Sequence, residues 1–139
     1  MKSKIVFFGT PYFAADVLRY LASQGVPIVG VVTQPDRPRG RSLELSPSPV
    51  KEVALEVLPG VPVFQPTKAS EETFLGQLSL LRADLYVVVA YGQILSQKLL
   101  DLPPLGCINV HASLLPRYRG AAPMQRCLMQ SIMRAGRWE

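Results

Sequence analysis

The chain predicts an α/β fold, an open and mainly parallel sheet with helices on both faces. Two patterns carry the expectation. Short, almost wholly apolar runs recur, as strands covered on both faces require, and segments with a helical period separate them. Bulk composition agrees: 139 residues at 48% hydrophobic and 18% charged suit one globular domain with a core of its own.

"KIVFFG" (4–9) reads as the first strand, bounded by Gly-Thr-Pro. "YFAADVLRYLASQG" (12–25) puts Phe13, Val17, Leu18 and Leu21 on one helical face and ends at Gly25 as C-cap. "PIVGVVT" (27–33) is the second strand. Residues 34–49 hold four prolines, one glycine, three serines and three arginines, which predicts a long loop without a pattern of its own. Pro49 can open a helix through "VKEVALEVL", with Val50, Val53, Ala54 and Val57 on one side. "PVFQP" (62–66) is a short strand, and "SEETFLGQLSLL" (70–81) a helix with Ser70 as N-cap. "ADLYVVVAYG" (83–92) is the most strand-like run, "SQKLLDLP" (96–103) a short helix, "GCINVHA" (106–112) the last strand and "APMQRCLMQSIM" (122–133) the last helix. The order β-α-β-loop-α-β-α-β-α-β-α implies parallel pairing through right-handed crossovers. Ligands then gather beyond the carboxyl ends of the strands. Four loops leave there: "GTPYF" (9–13), the arginine loop, "AYGQILS" (90–96) and "NVHASLLPRYRG" (109–120).

The net charge of +5 is uneven. From Leu105 onward, Arg117, Arg119, Arg126, Arg134 and Arg137 face Glu139 alone, and Arg37, Arg39 and Arg41 cluster in "QPDRPRGRS". Basic loops suit a polyanion such as nucleic acid, and ordinary surface arginines give the same count. Cys107 and Cys127 form no CxxC and have no metal spacing, so buried free thiols are expected. No apolar stretch approaches the ~20 residues of a membrane span. The start, "MKSKIVFFGTP", has the basic head of a signal peptide, but Gly-Thr-Pro breaks its apolar run and no cleavage site follows. Read as a buried strand, it leaves the protein in the cytoplasm.

Among candidate sites, "FFGTPYF" has a glycine at a strand-to-helix turn but not the spacing of a dinucleotide fingerprint. Gln34 and Pro35 stand where the acidic residue would be needed. Gly9 is therefore read as serving the turn. His111, the single histidine, lies two residues after Asn109, so on an extended strand the two share a face. An amide donor beside an imidazole suits acyl or formyl transfer: Asn109 can bond a developing oxyanion, and His111 can take up and return a proton. A half-buried histidine capping a strand is the other reading. In "AYGQIL", Gly92 allows a positive φ, and Gln93 to Leu95 can present backbone groups to a flat heterocycle, with Ile94 and Leu95 packing on it. A plain connector fits that stretch equally.

Taken together, "KIVFFGTPYFA" (4–14), "VGVVTQPDRPRGR" (29–41), "PSPVK" (47–51), "VVAYGQIL" (88–95) and "CINVHASLLPRYRGAAPMQR" (107–126) resemble the N-terminal catalytic domain of the methionyl-tRNA formyltransferases. The N-x-H-x-S-L-L-P-x-x-x-G block is shared by folate-dependent formyltransferases generally, while "QPDRPRGR…PSPVK" points to the tRNA enzymes. The resemblance implies a Rossmann-like formyltransferase fold and transfer of a formyl group from 10-formyltetrahydrofolate to the methionine amine of initiator Met-tRNA, without a metal. Asn109 would polarise the formyl oxygen and His111 would manage the amine proton. Folate would contact Tyr91, Gly92, Gln93, Ile94 and Leu95, and Ser113, Leu114, Leu115 and Pro116. Arg37, Arg39 and Arg41 would meet the acceptor end of the tRNA, as arginine's affinity for phosphate favours. No membrane or protein partner is implied.

The sequence departs from the family in two places. "SLEL" (42–45) stands where glycine and lysines usually follow Arg41. The family's third catalytic group, an aspartate downstream of the histidine, has no counterpart, because no aspartate follows Asp101. The expectation is therefore the N-terminal part of a catalytic domain over residues 1–130, incomplete at its C-terminus. A tail over 131–139 falls outside the family pattern, the C-terminal tRNA-binding domain is absent, turnover is weak or nil, and the cut sheet tends to self-associate. A formyltransferase acting on a small amine and a non-catalytic remnant binding folate or RNA are the alternatives.

Overall fold

A computed structural model describes residues 3–41 and 43–110; the expected last helix at 122–133 lies outside the described residues. The elements are β1 (Ile5–Gly9), α1 (Tyr12–Ser23), β2 (Ile28–Val32), β3 (Arg37–Arg39), β4 (Glu44–Ser46), α2 (Pro49–Val57), β5 (Val63–Phe64), α3 (Glu72–Leu80), β6 (Leu85–Val89), α4 (Gln97–Leu100) and β7 (Cys107–Val110). Five strands form a wholly parallel sheet in the order β5-β2-β1-β6-β7. The chain winds outward from β1 through β2 to β5, then returns to lay β6 on the other side of β1 and β7 beyond it. The winding direction therefore reverses between β1 and β6, where a doubly wound sheet opens its crevice.

Alternation along the strands makes two cores. Ile5 and Phe7 of β1, with Leu85, Val87 and Val89 of β6, pack under α1 and α2, against Leu18, Leu21, Val50 and Ala54. Val6 and Phe8, with Tyr86 and Val88, face Phe74, Leu75 and Leu78 of α3 and Leu99 of α4. Each buried Val, Leu, Ile or Phe side chain contributes about 1.5–3 kcal/mol by leaving water, and the period of two in the strands places the helical layers on opposite faces.

Local chemistry sets the boundaries. After α1, Gly25 takes φ +75°. Its N–H reaches the Ala22 carbonyl at 3.1 Å and that of Val26 reaches Leu21 at 3.2 Å. This is a Schellman closure, with buried Val26 against buried Leu21. Ser48 caps α2 by accepting from the Lys51 N–H at 3.0 Å, with Pro49 in the first turn. Ser96 does the same for the single turn of α4, through the Leu99 N–H at 3.3 Å.

Four expectations are corrected. Residues 34–49 are not patternless: β3 and β4 form an antiparallel ribbon pairing Arg37 with Ser46, Pro38 with Leu45 and Arg39 with Glu44. Positive φ at Gly40 and Leu43 closes its turn. Ser70 does not cap α3. Residues 68–71 form a turn, held by the Glu71 N–H on the Lys68 carbonyl and the Ala69 N–H on Gln93, so the helix starts with Glu71 as N-cap and no side-chain cap bond. The strand expected over 83–92 stops at Val89, because Ala90 turns left-handed at φ +50°. Gly9 lies inside β1, and space explains it: a Cβ there would stand 2.7 Å from the Ala14 Cβ and 2.8 Å from the Val89 carbonyl oxygen.

Candidate functional site

Two adjoining clefts open along the carboxyl edge of the sheet. The larger, about 460 Å³, is lined by residues 10–12 after β1, Gln34, Pro35 and Arg37 after β2, residues 46–49 before and at the start of α2, and residues 90–92 after β6. The smaller, about 330 Å³, lies between the ends of β6 and β7 and is lined by Val88, residues 90–93, Asn109 and Val110. Ala90, Tyr91 and Gly92 belong to both walls. Left-handed Ala90 is a non-glycine residue in strained backbone, a condition that clusters at functional sites.

Polar bonds fix the rim. Thr10 Oγ1 donates to the Tyr91 carbonyl at 2.7 Å, joining the β1 and β6 loops. Thr33 and Ser48 share a buried hydroxyl–hydroxyl bond of 2.5 Å, tying the end of β2 to the cap of α2. At the root of the β3–β4 ribbon, Asp36 accepts from Gln65 Nε2 at 2.7 Å and from Lys51 Nζ at 3.2 Å. Gln65 above all, and then Lys51, hold the Asp36 carboxyl below the usual carboxylate range. The ribbon is thus anchored at its base while Arg37, Arg41, Leu43 and Leu45 stand exposed.

Gln93 is saturated. Its Oε1 accepts from the Ala69 N–H at 2.9 Å, and its Nε2 donates to the Pro66 carbonyl at 3.1 Å and to Gln34 Oε1 at 2.9 Å. Gly92, at φ +99°, packs directly against the Gln34 amide. The expected positive φ at Gly92 is observed. Burial pushes the Tyr91 hydroxyl up to about 12, and it is a buried polar atom without a partner among the described residues. Half-buried Cys107 is a free thiol pushed up to about 11, by burial and by Asp101.

The structure brings Asn109, exposed at the end of β7, into one cleft with Tyr91, Gly92 and Gln93. Arg37 reaches the other cleft. Leu95 is half-buried against the α3–α4 core, whereas Ile94 is 95% exposed. His111, Ser113, Leu114, Leu115 and Pro116, and the side chain of Arg39, lie outside the described residues. Sequence reasoning missed Gln34 and Ala90. The position of Gln34 just beyond a buried strand end was a usable signal; nothing in the sequence marks Ala90 as left-handed. Among the described residues no cluster of His, Cys, Asp or Glu could hold a metal ion, and no helix is long and apolar enough to cross a membrane.

The formyl transferase family model matches residues 2–137. The methionyl-tRNA formyltransferase of Symbiobacterium thermophilum is 59% identical over 133 residues, 96% of this chain and 40% of that protein. That of Chlamydia abortus is 52% identical over 136 residues, 98% of this chain and 42% of that protein. The chain thus spans about 40% of the length of these curated relatives. Among solved structures, glycinamide ribonucleotide transformylase 1 from Geobacillus kaustophilus superposes with a TM-score of 0.58 at 20% identity, over 94% of this chain and 69% of that one. At that identity the likeness concerns the fold alone.

Proposed function

The chain belongs to the formyl transferase family, and from that premise we propose that it carries the donor crevice and acceptor rim of an enzyme formylating the methionine amine of initiator Met-tRNA from 10-formyltetrahydrofolate. The observation that carries the reading is the sharing of residues 90–92 by the two clefts. A donor held in the Asn109 cleft and an amine entering from the Arg37 cleft meet across one short loop. The amine nitrogen attacks the formyl carbon and the carbonyl becomes tetrahedral. The Asn109 amide donates to the resulting oxyanion, and such a donor is worth ~2.7–4 kcal/mol of barrier. The amine proton passes to His111 as the C–N bond to the folate breaks and the folate nitrogen is reprotonated. The exposed arginines Arg37 and Arg41 on an anchored ribbon suit the phosphates of a tRNA acceptor end, with Arg39 as the third of the cluster.

The test is binding of 5-formyltetrahydrofolate, a stable donor analogue, read as thermal stabilisation. At 100 times its dissociation constant it should add ~2.7 kcal/mol. Asn109→Ala should weaken a formyl-bearing analogue more than tetrahydrofolate itself. Absence of any stabilisation at millimolar analogue overturns the donor reading. For the ribbon, Arg37→Ala should reduce the salt dependence of acceptor-stem RNA binding by about one phosphate contact.

A further inference from the structure

Resting on the acceptor reading above, we propose that Gln34 is a substrate-recognition residue: its carboxamide Nε2 donates a hydrogen bond into the larger cleft, to the carbonyl oxygen next to the amine of an α-aminoacyl acceptor.

The orientation of the amide follows from its neighbours. Gln93 has one possible orientation, because its Oε1 must accept from the Ala69 N–H and its Nε2 must donate to the Pro66 carbonyl. The second hydrogen on that Nε2 then goes to Gln34, which must present Oε1 to it. Gln34 Nε2 is consequently turned away from Gln93, toward the backbone of Gly92, where a Cβ would come within 2.8 Å of it. Gln34 is 7% exposed and lines the larger cleft together with Gly92. Its Nε2 donates to no described residue. Gln93 takes the oxygen of this amide, so the nitrogen is the atom Gln34 can offer to the cleft that it lines. A buried amide held by a saturated neighbour is a preorganised donor, and it costs little to engage when a ligand oxygen replaces water. Gln34 lines the larger cleft and not the smaller one, and it stands beside Gly92, on the acceptor side of the point where amine and donor would meet. An α-aminoacyl ester carries a carbonyl oxygen two bonds from the carbon bearing its amine.

The test uses two stable acceptor-end analogues, methionine joined to 3′-amino-3′-deoxyadenosine through an amide, and the same compound with the carbonyl reduced to a methylene. Binding to the chain is measured in the presence of 5-formyltetrahydrofolate. The wild type should prefer the carbonyl compound by about 3- to 10-fold, the range of one neutral hydrogen bond. Gln34→Glu keeps an acceptor for Gln93 but removes the donor, so the preference should vanish while affinity for 5-formyltetrahydrofolate stays within twofold. Gln34→Asn, too short to hold both contacts, should lose the preference as well, and a merely structural role for Gln34 would leave the ratio of the two analogues unchanged. Equal binding of both analogues to the wild type overturns the inference and leaves the acceptor reading intact. Binding of the donor analogue with neither acceptor compound overturns both.

Discussion

Replacing Gly92 by alanine tests whether the loop shared by the two clefts is held as described. At φ +99° an L-residue is strained, at a cost of about 1–3 kcal/mol. The new methyl would stand 2.8 Å from Gln34 Nε2, inside any real contact distance. That nitrogen ends a flexible side chain and can swing aside, but then the 2.9 Å bond between Gln34 and Gln93 is given up, about 0.5–1.5 kcal/mol more. Loss of unfolded-state freedom returns about 0.4–1 kcal/mol. The expected net loss is about 2–3 kcal/mol, read from urea unfolding at unchanged m-value. Gly25→Ala is the control. Gly25 is also left-handed, at φ +75°, but nothing lies within 4 Å of its Cβ position, so that variant feels strain alone, about 1 kcal/mol after the same offset. If the two variants lose equal stability, the contact between Gly92 and the Gln34 amide contributes nothing, and the account of the loop is wrong.

Ser48→Ala removes a helix cap and orphans the buried Thr33 hydroxyl, so chemical denaturation should show a loss of about 2–4 kcal/mol; a loss under 1 kcal/mol would mean that water replaces both bonds. Asp36, held below the usual carboxylate range by Gln65 and Lys51, contributes stability that is full above the unfolded value of about 3.9 and lost as pH falls through the folded one. Asp36→Asn should therefore be less stable than wild type at pH 7 and converge on it in acid; parallel stability curves down to pH 2 would refute this. Tyr86 and Tyr91, both pushed up to about 12 mainly by burial, should stay protonated at about pH 10, where a free phenol is half ionised. Their stabilising contribution is complete below about pH 10, the unfolded value, and is lost as pH climbs through about 12. A phenolate absorbance near pH 10 that disappears on replacing either tyrosine by phenylalanine would show that the two rings are not sealed.

What was legible in the sequence follows from where each signal originates. β1 and β6 are buried on both faces, and such strands declare themselves as unbroken apolar runs because every position meets a helix or a neighbouring strand. The face of α1 was readable for the same reason: Val17, Leu18 and Leu21 all enter one core. The β3–β4 ribbon is the opposite case. Both of its faces meet solvent, its side chains alternate nothing, and it is held by backbone pairing and by Asp36 at its root. No apolar period exists to be read. The start of α3 failed for a related reason. The residue that moved it, Gln93, is distant in sequence and acts through one bond to the Ala69 N–H. Asn109 was legible as a strand-end amide, and the structure brings it beside Gly92. Its relation to His111 rests on the period of an extended strand, which the described residues follow as far as Val110.

The sequence also put four strand-end loops on one edge without saying which of them touch, and that depends on strand order. With β6 inserted between β1 and β7, the loop after β6 must separate the arginine ribbon from Asn109. A ligand held by the ribbon can then reach a ligand held at Asn109 only past Ala90, Tyr91 and Gly92. On the proposed function, the geometry of these three residues is a condition for both halves of the chemistry. Ala90 turns the chain out of the sheet, Thr10 holds the Tyr91 carbonyl, and Gly92 leaves room for the Gln34 amide. Had β7 paired with β1 directly, the ribbon and Asn109 would face one common cleft and none of these constraints would be needed. Left-handed Ala90 and Gly92 thus sit where the winding reverses, in the partition between the two clefts.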